Sequence, residues 1–324
     1  MDGKAAAKFS LATLLIGTSI GAQPLVRTPQ NPTRLVAITF DDLPVNSTRM
    51  QLENMREISG KLLARLERRR IPAIGFVNES KLYADDRLQE ERVQLLKGWV
   101  DAGLELGNHT YSHPSLYSTP LEEFQADVIK GEKVIRRLLE QKGKSLRYFR
   151  HPFLNTGPDL ETKEAFEAFL KDRGYRVAPV SIDNAEWIFA RAYDHAFDRE
   201  DRELMQRISD AYLTYMDSVF AYYEQQSLAL LGYELKQILL LHANRLNGDR
   251  LDGLIDVMSR RGYRFISLDE ALTDPAYRRK DGYAGRAGIT WLHRWALTEG
   301  KRGSFFAGEP EPPAFVTEAA GIGQ

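Results

Sequence analysis

The 324-residue sequence contains no cysteine, so disulfide bonds, thiolate metal sites and a cysteine nucleophile are excluded. Beyond residue 30 it also lacks an apolar run of the roughly 20 residues that a membrane-spanning helix needs. No excess of one charge exists, because 44 Lys and Arg residues stand against 45 Asp and Glu residues. The balance gives no attraction to nucleic acid or to an anionic membrane. Glycine-rich phosphate-binding motifs are absent, which leaves nucleotide-binding α/β folds without support.

The N-terminus carries the pattern of an export signal. Lys4 and Lys8 precede an apolar stretch at residues 9–20, and small residues follow. We therefore expect residues 1–22 to be a signal peptide and the protein to be secreted, periplasmic or otherwise located in the cell envelope. No integral membrane segment is expected to remain after its removal.

Short apolar runs alternate with helical patterns along the rest of the chain. Several of the runs are apolar throughout, which is typical of strands buried on both faces of a parallel sheet. Seven runs of strand length occur, at residues 35–40, 73–77, 104–106, 146–149, 176–180, 238–241 and 263–266. Helical periodicity fills the intervals at 50–70, 86–102, 120–142, 159–173 and 250–261. The alternation predicts a β/α barrel or an open doubly wound sheet.

The stretch at 188–237 interrupts this rhythm. Its apolar residues keep helical spacing over many turns, which predicts one long inserted helix before the sixth strand. After residue 275 the chain becomes rich in Gly and Pro, with one short helical pattern at 290–299 and an extended stretch at 309–313. We expect one domain over residues 33–274 and an irregular extension over 275–324.

Polar and aromatic side chains follow five of the predicted strands. Because parallel strands of a barrel end at the same rim, these groups should meet in one site, although each alone could be a helix cap, a surface charge or a packed aromatic ring. The groups are Asp41 and Asp42 after the first strand, His109 and His113 after the third, Arg150 and Phe153 after the fourth, Asp183, Glu186 and Trp187 after the fifth, and His242 after the sixth.

Two of these groups suggest definite chemistry. His109 and His113 are spaced so that both imidazoles can bind one metal from a loop or a single helical turn. Arg150 can hold a carboxylate through two hydrogen bonds and keep it ionised.

Five segments resemble, in order, the motifs of NodB-homology polysaccharide deacetylases, carbohydrate esterase family 4. They are TFDD at 39–42, HTYSH at 109–113, RHPF at 150–153, DNAEW at 183–187 and LLLH at 239–242. The likeness covers roughly residues 34–270 and implies a distorted (β/α)7 barrel. It also implies a hydrolase that removes N-acetyl groups from an extracytoplasmic glycan, such as peptidoglycan, chitin or another N-acetylglucosamine polymer, and releases acetate.

The resemblance implies roles for the first two motifs. Asp41 corresponds to the catalytic base, and Asp42, His109 and His113 correspond to the ligands of a divalent metal. Two imidazoles with one carboxylate favour Zn²⁺ and leave coordination positions free for water and substrate. Co²⁺, Ni²⁺ and Fe²⁺ fit the same donor atoms.

The other three motifs are implied to complete the site. His242 corresponds to the general acid that protonates the leaving nitrogen, and Arg150 is expected to keep Asp41 charged and aimed. The backbone N–H of Phe153 is implied to stabilise the oxyanion, and Trp187 with Phe153 to enclose the acetyl methyl group.

The chain departs from the family pattern at two positions. Leu43 follows the Asp pair where the family has Gly, and we expect it to narrow or reshape the cleft beside the metal. Glu186 stands where the family has Asp, which leaves open whether Asp183 or Glu186 supports His242 or Arg150.

Other functions fit the same residues. An O-acetyl polysaccharide esterase would use the same constellation, because the two transition states are alike. A hydrolase of cyclic amides or imides on the same barrel and a non-catalytic glycan-binding protein are further alternatives. The sequence specifies neither the glycan nor the oligomeric state.

Overall fold

Seven parallel strands form the main sheet of the protein in the computed structural model, which describes residues 34–322. A separate antiparallel pair, β3 with β4, was not predicted. The predicted signal peptide, residues 1–22, lies outside the described residues. In chain order the strands of the described part are β1 (Arg34–Leu43), β2 (Ile74–Val77), β3 (Tyr83–Ala84), β4 (Arg87–Leu88), β5 (Glu105–Asn108), β6 (Tyr148–Phe149), β7 (Arg176–Val177), β8 (Gln237–His242) and β9 (Tyr263–Phe265).

The strands of the main sheet lie in the order β7, β6, β5, β2, β1, β8, and β9 pairs with the first residues of β1. The segment after β7 then reaches the other edge of the sheet. Ile182 bridges to Leu239 of β8, and the amide of Leu240 donates to the Ile182 carbonyl at 3.1 Å. One segment therefore links both edges, so the sheet curls into a distorted barrel, and the predicted fold class is confirmed.

The helices of the described part cover the outside of this sheet. They are α1 (Leu52–Arg69), α2 (Glu90–Asp101), α3 (Leu121–Lys130), α4 (Lys133–Glu140), α5 (Leu160–Asp172), α6 (Glu186–Asp198), α7 (Arg202–Leu231), α8 (Arg245–Arg260), α9 (Leu268–Ala271), α10 (Trp291–Thr298) and α11 (Ala314–Ala319). None of them is both long and apolar enough to cross a membrane.

Strand β1 shows how the alternation of side chains divides the core. Val36, Ile38 and Phe40 belong to the large apolar cluster that includes the helices. Ala37 belongs to a second, smaller cluster. Since alternate residues of a strand point to opposite faces, Thr39 shares the face of Ala37 and is fully buried there. The second face therefore admits polar groups near the carboxyl end of β1.

The predicted insertion before the sixth strand is present, but it is not one helix. It consists of α6 and α7, which are separated by residues 199–201. Glu200 has a φ of 56°, and the Asp201 side chain caps α7 by accepting from the Leu204 amide at 2.9 Å. Glu200 and Asp201 are polar and leave the spacing of the apolar residues on either side intact. The periodicity therefore predicted one continuous helix.

Two smaller expectations also needed correction. The pattern at 120–142 forms α3 and α4, which are separated at Gly131 because the backbone of Thr110 and Tyr111 packs against that glycine; a Cβ there would lie 2.5 Å from both. The C-terminal extension is more helical than expected. α11 follows the extended stretch at 309–313 and packs against α6.

Candidate active site

The carboxyl ends of the strands surround a cavity of about 540 Å³. Arg150 and Glu186 do not line it but are buried behind it. The other predicted site residues all line it: Asp41, Asp42, His109, His113, Phe153, Asp183, Trp187 and His242. The structure thus brings together groups from five strand ends that are up to 201 positions apart in the sequence.

Adjacent residues of a regular strand point to opposite faces, yet Asp41 and Asp42 both line the cavity. The pairing of β1 with β2 shifts register between Phe40 and Leu43, as at a β-bulge. Asp42 itself has a φ of 67°. Aspartate tolerates this left-handed conformation better than most residues, and the turn brings its carboxylate to the same side as that of Asp41.

His109 and His113 are held by a loop rather than by a helical turn. Thr110 and His113 have φ values of 69° and 61°, and the amide of His113 donates to the Thr110 hydroxyl at 2.9 Å. Asp127 accepts from the amides of Tyr111 and Ser112, both at 2.9 Å. These bonds fold the loop so that the two imidazole centroids lie 4.8 Å apart.

Three donor atoms converge on one point of the cavity. The Nε2 atoms of His109 and His113 lie 3.8 and 3.6 Å from Oδ1 of Asp42, and all three donors lie within 4.8 Å of one another. Nδ1 of His109 is 2.8 Å from the Arg150 carbonyl, so it carries the proton and Nε2 presents its lone pair. Asp42 Oδ1 is buried and has no hydrogen-bond partner among residues 34–322. An orphaned carboxylate oxygen facing two imidazole nitrogens fits a divalent cation.

The electrostatics of the three donors also suit a cation. Burial and the neighbouring imidazole lower the pKa of His109 well below its ordinary value, and burial lowers the pKa of His113. Burial by itself would raise the pKa of Asp42, but nearby positive charge, that of Lys81 foremost, outweighs it and lowers that pKa. The imidazoles are therefore neutral and the carboxylate ionised, the states that bind metal.

Asn46 and Lys81, which sequence reasoning missed, hold the second oxygen of Asp42. Asn46 Nδ2 donates to Oδ2 at 2.6 Å, and the ammonium of Lys81 lies 3.6 Å from the same atom. Lys81 also donates to the carbonyls of Asp42 and Val45, at 3.1 and 3.3 Å. Lys81 follows β2 by four residues, so the rule that strand ends share a rim could have identified it.

Arg150 lies beside Asp41, as expected. Its Nη1 is 3.3 Å from both carboxylate oxygens, Nη2 donates to the Thr39 hydroxyl at 3.0 Å, and Nε donates to the Ala178 carbonyl at 2.8 Å. Arg150 was expected to keep Asp41 ionised, but the net shift in the pKa of Asp41 has the opposite direction. Burial raises the pKa of Asp41 to about 6 although Arg150 lowers it. Desolvation outweighs a guanidinium at 3.3 Å because both groups are fully enclosed.

Glu186, not Asp183, contacts His242. Its Oε2 lies 2.8 Å from Nδ1 of the imidazole, and its Oε1 accepts from Asn247 at 2.8 Å and from Asn244. Burial opposes protonation of His242, but the bond to Glu186 raises its pKa to about 9. Asp183 instead accepts from the adjacent Asn184 amide at 2.8 Å.

Phe153 and Trp187 are exposed on the cavity, with 60% and 48% of their surface accessible. The Phe153 ring centroid is 4.4 Å from that of His113. Phe153 and Leu154 have φ values of 55° and 51°, so two successive non-glycine residues adopt the left-handed conformation. Such strain persists only where surrounding structure fixes it.

The C-terminal extension fixes this strained turn. Asn155 Nδ2 donates to the Gly285 and Arg286 carbonyls at 2.9 and 3.0 Å. Gly288 lies so close to the turn that a Cβ built on it would be 1.6 Å from the Phe153 carbonyl oxygen. The fully buried Arg294 donates to the Leu154 carbonyl and contacts the hydroxyl of Thr156. We call residues 281–294 the clamp segment.

Leu43 does not narrow the cleft, contrary to expectation. It is fully buried and does not line the cavity. Its side chain covers Gly75, where a Cβ would lie 2.3 Å from the Leu43 methyl carbon. The bulge that directs Asp42 to the cavity thus leaves Leu43 pointing into the core.

Part of the chain is similar to known sequences. Residues 28–176 match the family model described as polysaccharide deacetylase. A peptidoglycan-N-acetylglucosamine deacetylase of Bacillus cereus is 26% identical over 152 residues, which are 47% of this chain and 46% of that protein. A chitooligosaccharide deacetylase of Sinorhizobium fredii is 28% identical over 152 residues, 47% of this chain and 59% of the relative. The chain thus spans about half the length of the curated relatives it matches.

Two solved structures are also similar to this chain. The peptidoglycan deacetylase PdaC of Bacillus subtilis is 19% identical with a TM-score of 0.46, and 74% of this chain and 92% of that chain are covered. A family 4 acetyl xylan esterase of Clostridium thermocellum, in complex with a cobalt ion, is 20% identical with a TM-score of 0.47. That match covers 76% of this chain and 97% of the other.

Proposed function

We propose that this chain, whose residues 28–176 match the polysaccharide deacetylase family model, is a metal-dependent hydrolase of the NodB-homology type, carbohydrate esterase family 4, that removes N-acetyl groups from an N-acetylglucosamine glycan. One observation carries the proposal. A set of metal ligands, a carboxylate base and a protonated imidazole all line a single cavity. Hydrolysis of an acetamide needs these three components together, because the amide must be activated, attacked and given a proton.

Asp42, His109 and His113 are proposed to hold the metal, with Zn²⁺ favoured by the donor types. When bound, the cation supplies polarisation of the acetyl carbonyl and a lowered pKa of water. Asn46 and Lys81 restrain the far oxygen of Asp42, so the chain orients this ligand before any cation arrives.

The remaining steps belong to the chain's own side chains. Asp41 accepts a proton from the attacking water, and Arg150 fixes the orientation of its carboxylate. The backbone N–H of Phe153 is proposed to donate to the oxyanion. His242 donates a proton to the leaving nitrogen, because an unprotonated amine leaves poorly, and Glu186 keeps that imidazole charged. Trp187 and Phe153 shield the acetyl methyl group, and acetate and a free amino sugar are the products.

The natural substrate is proposed to lie outside the cytoplasm. Two relatives are named for action on peptidoglycan and on chitooligosaccharides, which supports a glycan substrate. The signal pattern at residues 1–22 supports export.

Acetate release from a panel of glycans tests the proposal. Zinc-reconstituted protein should release acetate from chito-oligosaccharides or peptidoglycan, and acetylated xylan serves as the O-acetyl comparison. Asp42→Ala and His113→Ala should lose both bound zinc and acetate release, whereas His242→Ala should keep zinc and lose turnover. Full activity in Asp42→Ala or His113→Ala would contradict the metal assignment.

A further inference from the structure

Glu186 and His242 are held from behind by a buried hydrogen-bond network. Nδ2 of Asn247 donates to Oε1 of Glu186 at 2.8 Å and to the backbone carbonyl of His242 at 2.9 Å. Asn244 donates to the same Oε1, and its own side-chain oxygen accepts from the backbone N–H of Asn247 at 2.9 Å as the cap of α8. One amide group therefore contacts both the carboxylate and the main chain of the histidine that the carboxylate faces.

The network continues into the insertion through Tyr212 of α7. Its hydroxyl donates to Oδ1 of Asn247 at 2.8 Å. Both contacts of Asn247 Nδ2 are with oxygens that only accept hydrogen bonds, so the nitrogen of this amide faces Glu186 and its oxygen faces Tyr212. Tyr212 and Asn247 are fully buried, so water has no access to replace the hydroxyl. Among residues 34–322, the side-chain oxygen of Asn247 accepts from this tyrosine alone.

The orientation of the Asn247 amide matters to Glu186 because that carboxylate is only 1% exposed. Removing a charge from water is costly unless hydrogen bonds replace the lost hydration. The side chains of Asn247 and Asn244 supply two such bonds to Oε1, which leaves Oε2 for Nδ1 of His242 at 2.8 Å. A rotated Asn247 amide would instead present its oxygen to Oε1, and the two oxygens would repel each other. The carboxylate would then lose its alignment with the imidazole.

We propose that Tyr212 and Asn247 are positioning residues that align His242 for proton donation to the leaving nitrogen. The inference rests on the proposed function, because His242 is assigned as the general acid of that reaction. Tyr212 and Asn247 lie buried behind the cavity rather than in its wall, so they act through Glu186 and not on the substrate. The insertion thereby contributes to the reaction through one hydroxyl group.

A comparison of two leaving groups tests this role. The zinc-loaded protein is assayed with a chito-oligosaccharide, whose amine must be protonated to leave, and with para-nitrophenyl acetate, whose phenolate leaves without a proton. Tyr212→Phe removes only the hydroxyl oxygen and should lower kcat on the glycan about tenfold, the effect of losing one hydrogen bond. KM on the glycan and the rate on the aryl ester should stay at the wild-type values. Asn247→Ala should show the same selectivity with a loss of about 100-fold, the order of a general acid's contribution.

Tyr222→Phe is the matched control. Tyr222 lies on the same helix and is buried, but its hydroxyl contacts Nε2 of His293 at 3.1 Å and the carbonyl of Phe306 at 3.3 Å. The control removes the same atom from the same helix outside the network around Glu186. Both rates should therefore equal those of the wild type.

A spectroscopic measurement reports on the alignment without any turnover. The proton between Nδ1 of His242 and Glu186 is observed by nuclear magnetic resonance in protein with isotopically labelled histidine, and the signal that disappears in His242→Ala identifies it. Its exchange with solvent should be about tenfold faster in Tyr212→Phe, again the effect of one hydrogen bond, and unchanged in Tyr222→Phe.

The two measurements separate this role from the proposed reaction. Equal losses on the glycan and on the aryl ester would indicate a merely structural role, and a wild-type kcat on the glycan in Tyr212→Phe would indicate none; either result overturns the proposal. A wild type that releases no acetate from any glycan, with faster proton exchange in Tyr212→Phe but not in Tyr222→Phe, would support the positioning of His242 and contradict the deacetylase function. Absence of acetate release with unchanged exchange would overturn both.

Discussion

Replacing Gly288 by alanine should strongly reduce acetate release, although Gly288 contacts neither the proposed metal ligands nor the proposed proton-transfer groups. A Cβ at Gly288 would lie 1.6 Å from the Phe153 carbonyl oxygen, whereas real Cβ contacts essentially never fall under 3.0 Å. The clamp segment and the Phe153 turn must therefore separate by at least 1.4 Å, the difference between these distances. The obstacle is backbone, so no side-chain rotation relieves it.

The size of the effect follows from this displacement. Overpacking of a closed interior costs about 1–3 kcal/mol of unfolding free energy. A misplacement of about 1 Å in a reacting geometry costs on the order of 100-fold in rate. Because Phe153 is proposed to donate to the oxyanion, we expect kcat to fall about 100-fold. Zinc content should stay at the wild-type level, since the ligands come from other loops.

The assay combines steady-state acetate release, zinc content and thermal unfolding. Gly60→Ala is the control, because this glycine lies within α1 and no atom of the described part of the chain lies within 4 Å of its Cβ position. That variant should keep full activity and be equally or slightly more stable. A folded Gly288→Ala protein that contains zinc and turns over at the wild-type rate would refute the role of the clamp segment.

Three further predictions concern proton binding and helix capping. Glu186→Gln should move the alkaline limb of the kcat/KM profile to lower pH, because the bond to Glu186 raises the pKa of His242 to about 9 against the effect of burial; an unmoved limb would contradict the pairing. Burial raises the pKa of Glu79 to about 7, above its ordinary 4.5, so the native state retains a proton that the unfolded state releases. The free energy of unfolding should therefore fall as the pH rises from 4.5 to 7, and Glu79→Gln should flatten this part of the curve measured by urea denaturation. Asp201→Ala should lower the free energy of unfolding by about 1 kcal/mol through loss of the cap of α7, whereas the exposed Gln225→Ala should leave it nearly unchanged.

Much of the architecture could be predicted because local pattern encodes it. All seven predicted strands are present, since each is a short apolar run bounded by polar or turn residues. Periodicity did not detect the break between α6 and α7, because polar residues at 199–201 leave the apolar spacing on either side in phase. The clamp segment could not be found at all, since its contacts with the Phe153 turn are mostly to backbone and leave no residue pattern.

The candidate site was predictable in its membership but not in its geometry. Residue types and the rule that parallel strands end at one rim placed Asp42, His109 and His113 in one predicted site, and the family resemblance implied that they bind the metal. Whether Asp183 or Glu186 contacts His242 depended on where α6 begins, and only the folded chain decided it. Likewise, the raised pKa of Asp41 results from its burial, which depends on all the segments that pack around this carboxylate.

What the sequence by itself determined is therefore the set of strands and the chemical groups at their ends, because both follow from local spacing. Tertiary structure decided which atoms face each other. A register shift in β1 turns two neighbouring carboxylates to one side, and contacts from residues more than a hundred positions away hold the Phe153 turn in place. Direction and burial depend on packing between distant segments, and local sequence carries no record of that packing.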